Sequence, residues 1–235
     1  MRIDKLLSEM GKASRKQSAM LAKSGKLTLN GDVIKRCDIH IDPEQDILTL
    51  CGERVVYKKF TYIMLNKPEG YVSATEDGRE KTVLELLPEE ERRKNLFPCG
   101  RLDKNTLGLM ILTNDGDSAH KNLSPKHHAE KVYAFKTAHP LCEDDRVRLE
   151  KGVDIGGYTT APCTLTLDKD GASGKITLTE GKYHQIKRML EAVDNKITYL
   201  ERISFAGIEL DSSLKRGEWR YLNDAEQALF IGEKK

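Results

Sequence analysis

Asp103 is the residue whose setting most needs a chemical explanation. In GRLDKNTLGLMILT, residues 100–113, it follows Leu102 and precedes a run from Leu107 to Leu112 apolar enough to be a buried strand. Gly100, two residues after Pro98, implies a bent loop, so the carboxylate is expected on a loop at the mouth of that strand. On spacing alone, the commoner job of an Asp beside Asn and Thr is to cap a turn. A second cluster, EGKYHQIKRM at 180–189, sets Lys182, Lys187 and Arg188 around a Tyr and a His at the start of a helical pattern. A lone basic cluster is ordinarily a solvated face. Brought against Asp103, one of its cations would keep a carboxylate ionised for nucleophilic attack or proton abstraction. In AEKVYAFK, Tyr133 lies within a strand pattern. It reads either as a half-buried strand aromatic or as a ring on which a flipped nucleobase can stack.

Other chemistries find little support. There is no dinucleotide fingerprint and no P-loop, and His127, His128 and His120 lack a plausible ligand spacing, so neither a metal nor a cofactor is expected. A hydrolytic glycosidase would need two carboxylates flanking the bond, and only Asp103 is convincing.

The elements that must position these groups fall into two parts, expected at residues 1–56 and 60–235. The net charge of +2 hides an asymmetry: residues 1–36 carry +6, residues 37–58 carry −3, and the remainder −1. Ile3, Leu6, Leu7 and Met10 share a helical face that Gly11 stops. Ser14 can cap a second helix whose apolar side is Ala19, Met20 and Ala22 and whose opposite side carries Arg15, Lys16 and Lys23. KLTLNGDVI is a hairpin signal around Asn-Gly, and DILTL is a further short strand. Sorted positive charge of this kind suits RNA phosphates.

From YIMLNKPEG onward, helical patches (TVLELLPEEERRK, DGDSAHKNL, HQIKRMLEAV) alternate with strand-like runs (LGLMILT, KVYAFKTA, CTLTL, KITLTE, KITYLERI), and NDAEQALFIG reads as a closing helix. The fold class expected is α+β with a mainly antiparallel sheet. Five cysteines, odd in number and never spaced as C-x-x-C, point to free thiols in a reducing compartment. No apolar run approaches the roughly 18–20 residues of a membrane span. A cytoplasmic chain without a membrane partner is the expectation.

MRIDKLLSEMGKASRKQSAMLAKSGKLTLNG resembles the S-four RNA-binding domain, in its R-x-D-K start, its Ser-Arg pair and its G-x-x-x-x-N-G hairpin, over nearly all of residues 1–50. GRLDKNTLGLMILTNDG, SPKHHAEKVYAF and EGKYHQIKRM closely resemble signature segments of pseudouridine synthases of the RsuA type, so the likeness spans essentially the whole chain. The resemblance implies isomerisation of one uridine in ribosomal RNA. Asp103 matches the catalytic aspartate, Tyr133 the base-stacking tyrosine, and Lys187 the basic residue that pairs with the aspartate, where relatives carry Arg or Lys. Leu200 matches an apolar residue under the uracil, and Arg101 an arginine that helps hold the flipped arrangement. Arg2, Lys5, Arg15, Lys16, Lys23, Arg101, Lys131 and Arg188 are the expected RNA contacts. Cys99 stands where many relatives have an aliphatic residue. The expected partner is small-subunit ribosomal RNA within an assembly particle, met by a monomer. Large-subunit RNA, or a non-catalytic ribosome-assembly role, are the alternatives.

Overall fold

A computed structural model describes residues 1–124, 127 and 129–232, so that His128 lies outside the described residues. The chain divides into two compact units, residues 1–61 with 87–97, and residues 62–86 with 98–235.

In the first unit, α1 (Ile3–Glu9) and α2 (Arg15–Lys23) precede β1 (Leu27–Leu29), β2 (Asp32–Val33), β3 (Leu48–Leu50) and β4 (Glu53–Arg54). The four strands form an antiparallel sheet in the order β2-β1-β3-β4. Asn30 and Gly31, both at positive φ, make the tight turn between β1 and β2. Ile3, Leu6, Leu7, Ala22, Leu27 and Leu48 form the core of the unit. Ser14 accepts from the Gln17 amide, and the Gln17 side chain accepts from the Ser14 amide, a reciprocal cap that fixes where α2 begins. The apolar side of α2 is not quite the one expected. Met20 is 64% exposed, and the buried position beside Ala22 belongs to Ser18, whose hydroxyl donates to the Ser14 carbonyl and so satisfies itself within the helix.

Residues 87–97 join this unit although the sequence pattern assigns them to the second. They contain α3 (Glu89–Arg92), and the Glu90 carbonyl lies so close to Gly11 that a Cβ there would come within 2.1 Å of it. TVLELLPEEERRK is therefore not one helix. A 3-10 turn covers Val83–Leu86, and Pro88, which has no amide hydrogen to continue a helix, stands as the N-cap of α3.

The second unit contains β5 (Tyr62–Lys67); after β6 (Phe97–Pro98), where the chain returns to it, come β7 (Leu107–Thr113), α4 (Gly116–Leu123) and β8 (Lys131–Thr137). Then follow α5 (Glu143–Lys151), β9 (Thr164–Leu167), β10 (Ser173–Leu178), α6 (Gln185–Glu191), β11 (Ile197–Phe205), β12 (Ile208–Glu209), β13 (Trp219–Tyr221) and α7 (Asp224–Ile231). Helix α5, in the polar stretch EDDRVRLEK, has too weak an apolar stripe to stand out by periodicity; only Leu149 is buried. The sheet runs β13-β5-β7-β11-β8-β10-β9, with β12 added to β11. These pairs are antiparallel except β7 with β11, which agrees with the α+β expectation. β5 is buried throughout and β7 is buried after Leu107, which is why both read as continuous apolar runs. At Gly108 a Cβ would come within 2.3 Å of the Arg202 carbonyl, so the close parallel approach of β7 to β11 requires glycine.

Candidate active site

The loop that carries Asp103 is built by hydrogen bonds to its backbone. Lys67, the last residue of β5, is fully buried, and its Nζ lies 2.9–3.2 Å from the carbonyl oxygens of Pro68, Asp103, Lys104 and Thr106. Burial pulls the Lys67 pKa down to about 8, against the opposing attraction of Asp103 and Glu69. The Ser73 hydroxyl donates to the Leu102 carbonyl and accepts from the Leu102 amide, at 2.8 and 2.9 Å. The Gly70 amide donates to Lys104, and the Thr106 amide closes a turn onto Asp103. The segment after β5, NKPEGYVS, thus clamps the loop on both sides of Asp103, and the backbone beneath the carboxylate is held in one place.

The side chain projects from that clamp with 26% of its surface exposed. Lys187 Nζ lies 2.6 Å from Oδ2 of Asp103 and 2.6 Å from Oδ1 of Asn105, and is itself 21% exposed. His184 Nε2 lies 3.5 Å from the other carboxylate oxygen, Oδ1. Both basic groups come from one short segment. α6 buries Ile186, Met189 and Leu190 on its inner side, which leaves Lys187 free to reach the loop. Its start is pinned by Gln185, whose amide nitrogen donates to Glu180 and whose oxygen accepts from the Lys182 amide. Glu180 also accepts from the Ala161 amide and the Tyr158 hydroxyl, so it ties α6 to the loop before β9.

Sheet register places the remaining residues. Tyr133 pairs with Arg202, Arg202 pairs with Gly108, Gly108 pairs with Lys67, and Leu200 pairs with Phe135. Directly paired residues share a face of the sheet, so Lys67, Tyr133, Leu200 and Arg202 lie on one face. Tyr133 and Leu200 are both buried. Arg202 is 1% exposed; its Nε donates to the Leu109 carbonyl and its guanidinium lies 4.9 Å from the Phe205 ring centre.

Of the residues expected to meet RNA, Arg101 is exposed two positions before Asp103, and Arg188 is half-buried with Nη1 3.5 Å from the Tyr183 carbonyl. Lys131 is a correction. It is buried, its Nζ donates to the Ala129 carbonyl and lies 5.6 Å from the Phe205 ring centre, and burial lowers its pKa. It faces inward because its strand neighbours alternate, Lys131, Tyr133, Phe135 and Thr137 being the buried set. In the first unit, Arg15, Lys16 and Lys23 are exposed along α2. Arg2 is committed to a bidentate pair with Asp4, at 3.0 and 2.6 Å, and Lys5 lies 3.6 Å from Glu9.

Sequence reasoning overlooked Lys67, Asn105, His184 and Arg202 as parts of this arrangement. Lys67 had a visible signal, a charge closing the apolar run YIML. Arg202 had none beyond its place in an alternating strand.

With this geometry in view, comparison with known proteins is informative. Residues 61–192 match the RNA pseudouridylate synthase family, and residues 1–47 match the S4 domain. An uncharacterized RNA pseudouridine synthase of Bacillus subtilis is 44% identical over 233 residues, 97% of this chain and 98% of that one. Ribosomal small subunit pseudouridine synthase A of Vibrio vulnificus is 38% identical over 229 residues, 96% of this chain and 97% of its own, and that of Escherichia coli is 35% identical over 233 residues, 98% and 100%. A crystal structure of a pseudouridylate synthase superposes with a TM-score of 0.68 at 32% identity, covering 98% of this chain and 99% of the other. The chain belongs to the RNA pseudouridylate synthase family and is an RNA pseudouridine synthase. Within that class it is of the RsuA type, an S4 domain followed by the synthase domain.

Proposed function

We propose that this enzyme isomerises one uridine of small-subunit ribosomal RNA, with Asp103 as the reacting carboxylate and the uridine turned out of its helix. The observation that carries the reading is the Asp103–Lys187 contact of 2.6 Å on a loop clamped from below by Lys67. Full-length similarity to small-subunit enzymes supports the choice of RNA.

The reaction breaks the N1–C1′ bond of uridine, rotates the uracil and joins C5 to C1′. C5 then loses its proton and N1 gains one, so composition is unchanged. Asp103 can serve this either by attack, at the sugar or the base, or by taking a ribose proton to give a glycal, and each route needs an ionised carboxylate. Lys187, itself held by Asn105, takes Oδ2 at 2.6 Å, while His184 Nε2 stands further off, 3.5 Å from Oδ1. In this reading Oδ1 is the oxygen that meets the nucleoside. Tyr133 stacks on the uracil and assists the deprotonation at C5, and Leu200 packs under the ring. Eversion costs a few kcal/mol of unstacking, offset by stacking and by phosphate contacts. The exposed cations of α2, with Arg101 and Arg188, supply those contacts. In this reading the enzyme acts as a monomer in the cytoplasm, on RNA within an assembling small subunit.

The test is to incubate the protein with ribosomal RNA and small-subunit particles and map pseudouridine by carbodiimide treatment and primer extension, beside Asp103→Asn. Product at one small-subunit position, lost in the variant, is expected. Product only in large-subunit RNA overturns the choice of substrate, and product that survives Asp103→Asn overturns the assignment of the carboxylate.

A further inference from the structure

Tyr183 is 72% exposed, the most exposed large hydrophobic side chain among the described residues. Its ring nonetheless has a neighbour: it stacks on His184 with centroids 3.9 Å apart and planes 16° from parallel. His184 adopts a left-handed backbone, φ 51°, which a non-glycine residue rarely holds. The stack starts at the reacting group, since His184 Nε2 is 3.5 Å from Asp103 Oδ1, and it ends in solvent at Tyr183. Folding does not account for it, because the packing of α6 is supplied by Ile186, Met189 and Leu190. The same segment carries three cations. Lys182 Nζ lies 4.2 Å from the centre of the Tyr158 ring, Arg188 reaches the Tyr183 carbonyl, and Lys187 is on the carboxylate.

An exposed ring on a segment rich in cations is what unpaired RNA needs, a flat face for a base and positive charge for the flanking phosphates. We propose that Tyr183, backed by His184, is the stacking platform for the base of a nucleotide adjacent to the target uridine. Turning a uridine out of a helix removes a stacking partner from its neighbours, and the ring lies one imidazole away from the carboxylate that receives the uridine. This inference rests on the reading of an RNA substrate.

Two measurements test it on the full chain. The first is steady-state pseudouridine formation on a small-subunit ribosomal RNA transcript by wild type, Tyr183→Ala and Tyr183→Trp. Loss of one stacked base should raise KM about 10-fold in Tyr183→Ala with kcat within about twofold, and Tyr183→Trp should restore KM. The second is the fluorescence of a single-stranded oligouridylate bearing one 2-aminopurine. The wild type should quench it on binding, and Tyr183→Ala should bind with the quenching lost. Unchanged KM and quenching in Tyr183→Ala, or a fall in kcat alone, overturns the platform. If the wild type makes no pseudouridine, the functional reading fails by itself, and the quenching still decides whether Tyr183 stacks a base.

Discussion

At the scale of single residues, the site depends on two lysines with opposite tasks. Lys187 pairs with the carboxylate proposed to react, from a position one-fifth exposed, whereas Lys67 directs its charge at four backbone carbonyls and touches no carboxylate oxygen. Lys187→Met should lower kcat about 100-fold with a smaller change in RNA affinity. Lys187→Arg, which keeps the charge, should recover most of the loss; single-turnover rates at saturating RNA measure both. Lys67→Met should act on stability first, because four carbonyls lose a shared donor, at a cost of about 3 kcal/mol. A pH effect accompanies it. Folding lowers the Lys67 pKa from 10.5 to about 8, so between those values the unfolded chain binds more protons than the folded one. The cost of burying the ammonium is fully present below pH 8 and fades as the pH rises towards 10.5. The stability advantage of wild type over Lys67→Met should therefore grow from pH 7.5 to pH 10, as read by urea unfolding at each pH.

At the scale of elements, much was legible. The Ser14 cap, the Asn30-Gly31 turn and the buried strand after Asp103 follow from local rules of capping, turn conformation and apolar patterning, and the structure has all three. The position of Asp103 near Lys187 was legible only because two distant segments shared a resemblance; their separation of 84 residues gives no local signal. Lys131 shows the opposite failure. A lysine in a basic, histidine-rich stretch looks like a phosphate ligand, yet the two-residue period of β8 turns it inward beside Tyr133. His184 was equally hidden, since nothing in KYHQ announces a left-handed residue. For α2 the exposed face is the testable feature. Arg15→Glu with Lys16→Glu should weaken RNA binding and make its logarithmic salt dependence shallower by about 1.5, two phosphate contacts at roughly 0.7–0.9 each. Filter binding at four salt concentrations reads this, and an unchanged slope would remove α2 from the RNA interface.

At the scale of the whole molecule, the two compact units are not consecutive stretches of sequence, because residues 87–97 return to the first unit after β5 has begun the second. Cleavage in the connector between residues 56 and 60 should therefore leave the N-terminal fragment attached without a peptide bond. Size exclusion after limited proteolysis should show one particle in native buffer and two fragments in denaturant. Early release of a free fragment would contradict this.

The same chain path bears on how such an enzyme can be rebuilt. A head joined to its catalyst by one tether can be exchanged by splicing at a single point. Here the Glu90 carbonyl lies against Gly11, so a transplanted head would arrive without the rib it closes on, and the recipient would keep a rib shaped for a missing head. Recombination that respects this molecule has to move two separate pieces of sequence together.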